Sequence, residues 1–210
     1  MRRKRTKRIL LTLFAAALAV LLFFSLRYWQ LHRALPGSGV AVPENVEVSL
    51  LPLNPFSRPG TPLRKIRGVV VHYVGNPGTS AENNRGYFAG LALSGETYAS
   101  SHFIVGLDGE VIQCVPLTEI AYCSNDRNAD TVSVEVCHPD ENGEFAPETM
   151  EALKDLVAWL CAAFDLTEQD VIRHYDVSGK ICPKYYVEHP EAWDAFRSEL
   201  AEKLADSAGK

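Results

Sequence analysis

Residues 9–26, ILLTLFAAALAVLLFFSL, form a run with no charged side chain, directly after the basic octet MRRKRTKR. The run approaches the roughly 20 apolar residues that span a bilayer's hydrocarbon. A cleaved secretory signal has a shorter apolar region, about 7–15 residues, and ends at a small-residue site. FFSLRYWQLHR offers no such site. The pattern therefore predicts an uncleaved signal-anchor over 9–26 behind a basic cytoplasmic segment, 1–8, with Tyr28 and Trp29 at the far interface. The basic flank places everything beyond the anchor outside the cytoplasm. The remaining length suits one sizeable core.

Charge divides at the same place. Residues 1–33 hold eight of the 21 Lys+Arg and none of the 26 Asp+Glu, leaving a formal −13 on the rest. Nucleic acid demands a basic footprint, so it is excluded as a partner. The acidic surface also gives no long-range attraction to an anionic envelope, so a substrate there must be held by short-range contacts. Five cysteines, Cys114, Cys123, Cys137, Cys161 and Cys182, leave at least one thiol unpaired in an oxidising compartment. Cys161 shares a helical face with Leu153, Val157, Leu160 and Phe164 and reads as core. Pairing among Cys114, Cys123, Cys137 and Cys161 is undecided by sequence.

Residues 27–46 read as a juxtamembrane linker, 47–203 as the folded domain and 204–210 as a tail. VSLLPLNPFSRPG is apolar enough to pack on the domain as an extended lead-in. GVVVHYV is a β-branched run typical of a strand buried on both faces. TSAENNRGYFAGLAL predicts a helix capped by Thr79 or Ser80, with Glu82 in its first turn. SHFIVGLDGEVIQCV predicts two strands around Asp108-Gly109. In DTVSVEVC, Val132, Val134 and Val136 alternate with Ser133, Glu135 and Cys137. PETMEALKDLVAWLCAAFDL is an amphipathic helix with Pro147 in its first turn, DVIRHY a short strand and HPEAWDAFRSELAEKL a closing helix. Interleaved strands and helices with one hairpin predict an α/β domain: a mixed central β-sheet flanked by helices.

VIRHYDVSGKICPKYY brings an imidazole, an ammonium and a thiol, His174, Lys180 and Cys182, close together. Thiol and imidazole are both zinc ligands, and a catalytic zinc keeps three protein ligands and an open position. His72 ends an apolar strand, as His174 does, and sheet rims are where side chains from different strands converge. A lone histidine there is more often a satisfied core residue; the pairing with His174 favours a ligand. His32 and His189 are poorly placed. His102 starts a strand and reads as lying behind the ligands or facing substrate, and Tyr73 and Asp176 are grouped with it. His138 reads as an exposed turn residue. Hydrolysis further needs a base and positive charge near the developing oxyanion. Glu135, opposite three valines, and Lys180, beside the cysteine, suit those roles, although a solvated glutamate and a solvated lysine are equally ordinary readings.

VVVHYVGNPGTSAENN, SSHFIVGLDGEVIQCVP, TVSVEVCHP and VIRHYDVSGKICPKYY resemble, in this order, the zinc-dependent N-acetylmuramoyl-L-alanine amidases. That superfamily includes phage lysozyme-type amidases and peptidoglycan-recognition proteins. The resemblance implies one zinc ion on His72, His174 and Cys182, Glu135 as acid/base, Lys180 as the catalytic lysine, and Asp176 as a loop-positioning residue. Some members carry a tyrosine where this chain has Ser101, which favours the glutamate-based mechanism here. The implied reaction is cleavage of the amide between N-acetylmuramic acid and L-alanine in peptidoglycan. A membrane-bound bacterial enzyme with an extracytoplasmic domain is then expected. Two alternatives are a non-catalytic peptidoglycan-binding module, which typically lacks the cysteine ligand, and a zinc peptidase acting elsewhere on the stem peptide.

Overall fold

A computed structural model of the chain describes residues 2–208; side chains of 2–10, 12, 29–32 and 207–208 lie outside the described residues. The expected basic segment and Trp29 fall in that group. The chain divides into two units, Met1–Ala34 and Leu35–Lys210. The first is a single helix, α1 (Arg2–His32), with its described apolar side chains, among them Leu11, Phe14, Leu21 and Phe24, exposed. Among the described residues no helix is long and apolar enough to cross a membrane. Ile9, Leu10 and Thr12 of the uncharged run are outside that set.

The second unit is built on a six-stranded sheet in the order β1-β4-β3-β5-β2-β6. The strands are β1 (Val46–Val48), β2 (Val69–Val71), β3 (Phe103–Val105), β4 (Val111–Gln113), β5 (Val132–Val136) and β6 (Val171–Arg173). Only β3 and β4 pair antiparallel, through the turn predicted at Asp108-Gly109, where Gly109 takes φ +83. That φ lies in the left-handed region, which glycine enters without steric cost. β2 lies between β5 and β6, parallel to both, and all three of its valines are fully buried. A central parallel strand has covering layers on both faces, and the unbroken valine run reflects this.

The helices supply those layers. Val132, Val134 and Val136 join Val69, Val71 and Phe103 in one core with Leu153, Val157, Leu160 and Cys161 of α3 (Pro147–Phe164) and Phe196 and Leu200 of α6 (Pro190–Ala208). The opposite face packs Ile104, Ile112, Val74 and Cys137 against Ala81, Phe88 and Leu91 of α2 (Ala81–Ser94). Ser80 caps α2, accepting from the Asn83 N–H, and Gly95 closes it at φ 62. The cap satisfies one of the otherwise unpaired amide donors at the helix start. The mixed α/β architecture expected from the sequence is present.

Two regions hold more structure than expected. The stretch ending at residue 46, read as a linker, packs on the domain from Gly37 onward. A Cβ on Gly37 would stand 2.5 Å from the Leu117 carbonyl oxygen, and Val40 and Val42 lie against the core. The lead-in also contributes a strand, β1, parallel to β4, and buries Leu51 and Leu63. Two short helices that carried no sequence signal, α4 (His174–Ser178) and α5 (Lys184–Glu188), frame the Cys182 loop. All five cysteines are free thiols.

Candidate metal centre

Strand order creates the site. Val71 is in register with Val134 of β5 and Arg173 of β6. One step further along these parallel strands, His72 falls beside Glu135 on one side and His174 on the other. The ladder continues past β2, with the His72 N–H donating to the Val134 carbonyl at 2.9 Å. Neighbouring strands lie about 4.8 Å apart, so residues in register at one rim are within reach of a shared ligand.

The imidazoles meet. His72 Nδ1 and His174 Nδ1 are 3.1 Å apart, and Cys182 Sγ lies 3.8 Å from His72 Nδ1. All three residues are buried, and their donor atoms lie within 4.8 Å of one another. Cys182 returns to the rim because α4 ends at Gly179, which takes φ 76, and the Tyr175 N–H donates to the Cys182 carbonyl at 2.9 Å. Asp176 secures this turn from outside: its carboxylate accepts the Arg173 N–H at 2.8 Å and pairs with the Arg173 guanidinium at 2.8 Å. The Tyr73 N–H donates to the Cys182 side chain, and the Tyr73 ring stacks on His138.

The other ring nitrogens are held by residues that sequence reasoning missed. His174 Nε2–H donates to Asn125 Oδ1 at 2.6 Å, and His72 Nε2 lies 3.0 Å from Ser124 Oγ. Both partners sit at the start of a 3₁₀ segment, Asn125–Ala129. Asn128 Oδ1 fixes that start by accepting the Cys123 and Ser124 N–H groups at 3.0 and 2.6 Å. An oxygen acceptor on Nε2–H leaves the Nδ1 lone pair free, which orients a ring for metal binding. When His72 Nε2–H is likewise given to the Ser124 hydroxyl, two Nδ1 lone pairs face each other at 3.1 Å and repel unless a cation lies between them.

Electrostatics agree with that donor set. Burial, the neighbouring His174 and the Lys180 charge hold the His72 pKa well below its ordinary value; burial and Lys180 lower that of His174. Both rings are thus neutral, the form that ligates metal. Burial, reinforced by Glu135, pushes the Cys182 thiol up to about 12, against the Tyr73 N–H and Lys180. A thiol in that state gives up its proton when a cation takes its place. Two imidazoles and a thiol in this arrangement fit zinc.

Glu135 stands beside the donors. Its Oε1 accepts from the Cys123 thiol at 3.5 Å, and its Oε2 is buried without a hydrogen-bond partner. Burial pushes its carboxyl up to about 7, opposed by the Cys123 thiol and by Lys180. Lys180 is exposed on the loop, and its charge is felt at His72, His174, Glu135 and Cys182.

Two other histidines are held by backbone groups. His102 Nδ1 accepts the Ser133 N–H at 3.0 Å, and Nε2 donates to the Glu119 carbonyl at 2.9 Å. With the ring buried and both nitrogens taken, it pins the start of β3 to β5. His138, read as an exposed turn residue, is only 2% exposed, with Nδ1 2.7 Å from the Asp140 carbonyl oxygen and Nε2 2.8 Å from that of Val74. Ser101 is also buried, bonded to the Phe103 and Ser133 carbonyls.

The family model for N-acetylmuramoyl-L-alanine amidase matches residues 62–185. The N-acetylmuramoyl-L-alanine amidase CwlL of Bacillus licheniformis is 34% identical over 167 residues, 73% of this chain and 46% of CwlL. BlyA of Bacillus subtilis (strain 168), also an N-acetylmuramoyl-L-alanine amidase, is 32% identical over 178 residues, 75% of this chain and 47% of BlyA. This chain thus spans less than half the length of these relatives. The solved catalytic domain of XlyA superposes with a TM-score of 0.62 at 25% identity, covering 74% of this chain and 98% of that domain. On the sequence match and the shared fold, the chain belongs to the N-acetylmuramoyl-L-alanine amidase family.

Proposed function

We propose that the domain hydrolyses the amide joining the lactyl group of N-acetylmuramic acid to L-alanine in peptidoglycan, with one zinc ion on His72, His174 and Cys182. The observation that carries this reading is the juxtaposition of that donor set with Glu135, a desolvated carboxyl whose pKa is raised to about 7. A base works best when its pKa lies near the working pH. Zinc, when bound, supplies Lewis acidity toward the scissile carbonyl and the attacking water. Glu135 Oε2, which no protein donor holds, takes the water's proton and later passes it to the leaving amine. Lys180 lends positive charge to the oxyanion as it develops. Asn125 and Ser124 hold the two rings in the ligating orientation, and Asp176 braces the turn that carries Lys180 and Cys182.

The same proposal includes a tether. Residues 9–26 carry no charge and follow six basic residues, and the described part of that run presents apolar side chains outward. The domain, about 47–203, is then held at the outer face of a bacterial cell membrane by a single span. Tethering brings a net-acidic domain to an anionic wall that would not attract it through charge.

Digestion of purified peptidoglycan followed by mass spectrometry tests the activity. Release of intact stem peptides with a free L-alanine amine supports it. Stem peptides cut internally indicate a peptidase, and unchanged material indicates a binding module.

A further inference from the structure

Glu135 and Cys123 form a second donor group on the rim. Cys123 Sγ, a Glu135 carboxylate oxygen and a His72 ring nitrogen all lie within 4.8 Å of one another, apart from the set completed by His174 and Cys182. Three features make this more than proximity. Cys123 Sγ already touches Glu135 Oε1 at 3.5 Å. Glu135 Oε2 is buried with no partner, and a buried polar atom in that condition calls for a ligand. The Cys123 backbone is locked by Asn128 Oδ1, so the thiol is held in place. Nothing in the hydrolytic scheme above uses Cys123.

We propose that Cys123 and Glu135, sharing the ring of His72, form an auxiliary seat for a thiophilic divalent cation such as cadmium or surplus zinc. A sulfur, nitrogen and oxygen set favours these ions over magnesium or calcium, which prefer oxygen alone. Binding involves no redox change. The Cys123 thiol releases one proton to solvent, Glu135 releases another when it is protonated, and the cation bonds to the resulting thiolate and carboxylate. With zinc on His72 Nδ1, Nε2 leaves Ser124 and releases its own proton to solvent, and the resulting imidazolate bridges the two ions. An ion in the auxiliary seat occupies the carboxylate of Glu135. Excess metal therefore inhibits hydrolysis, a consequence that rests on Glu135 being the base, whereas the seat itself does not.

Cadmium titration of the full-length Cys182→Ser chain tests the seat, read by thiolate-to-cadmium ultraviolet absorbance. Cys114, Cys137 and Cys161 are fully buried in the cores, which leaves Cys123 as the accessible thiol. A saturable band is expected, and it should be lost when Cys123→Ser is added. No band in Cys182→Ser, or a band that survives the double substitution, overturns the seat. Should Cys182→Ser not fold by circular dichroism, the otherwise unmodified chain serves. There a second absorbance increment is expected after the first equivalent, absent from Cys123→Ser; a titration ending at one equivalent in both overturns the seat. Peptidoglycan digestion in excess zinc separates the two readings. Inhibition relieved by Cys123→Ser supports both, whereas the band without inhibition upholds the seat and removes Glu135 as base.

Discussion

Replacing Glu135 with glutamine should stabilise the metal-free chain at neutral pH, even though it abolishes the proposed base. The carboxyl's pKa is raised from 4.5 to about 7, chiefly by burial. Below about pH 4.5 the group is neutral in the folded and unfolded chains alike, and burial costs it little. Between 4.5 and about 7 the unfolded chain ionises while the folded chain stays neutral, so stability falls as pH rises. Above about 7 the folded chain carries the buried charge and the full penalty applies. At about 1.4 kcal/mol per pKa unit, that penalty reaches about 3 kcal/mol. Glutamine keeps an oxygen to accept from Cys123 and never ionises, so it avoids the penalty. Urea unfolding of the chelator-treated chain, wild type against Glu135→Gln, should show a difference that grows from near zero at about pH 4 to about 3 kcal/mol by about pH 8. Other groups titrate in both proteins and largely cancel in that difference. Adding zinc should shrink the gap, because a nearby cation offsets the buried charge. A difference that stays flat across this pH range would refute the argument that desolvation tunes Glu135.

Lys180→Ala should lower kcat by about 10²–10³-fold, the usual cost of losing one oxyanion-stabilising group, while zinc content by metal analysis stays at the wild-type level. Asn125→Ala should weaken zinc binding by about 10- to 100-fold in chelator competition, because His174 loses the acceptor that fixes its ring. Leu153, fully buried between α3 and the sheet, should cost about 2–5 kcal/mol when cut to alanine, measured by urea unfolding.

The parts of the site legible in the sequence are those attached to periodic structure. His72 and His174 each follow a short apolar run and so read as strand ends at a sheet rim, whereas their meeting depends on β2 and β6 being neighbours, which only the strand order supplies. Glu135 was readable because three valines on alternate positions of β5 commit it to the other face. Cys182 follows His174 closely, across a turn that Gly179 makes possible. Ser124, Asn125 and Cys123 gave no comparable signal. The segment CSNDRNAD has turn chemistry but no period, and nothing in it says that the turn folds back over two histidines. His102 and His138 show the opposite difficulty: a histidine whose nitrogens both meet backbone groups reads in sequence like one that meets a ligand. β1 was missed for a simpler reason, since three residues among prolines and polar groups carry too little pattern to mark a strand.

X-ray absorption at the zinc edge of the zinc-loaded full-length chain addresses the central claim most directly. In a Cys123→Ser background, which removes the auxiliary thiol, the account predicts one ion with a single sulfur at about 2.3 Å and nitrogens at about 2.0–2.1 Å, with the sulfur lost when Cys182→Ser is added. A shell without sulfur, or one left intact by that substitution, would contradict the assignment of His72, His174 and Cys182 as the metal's ligands.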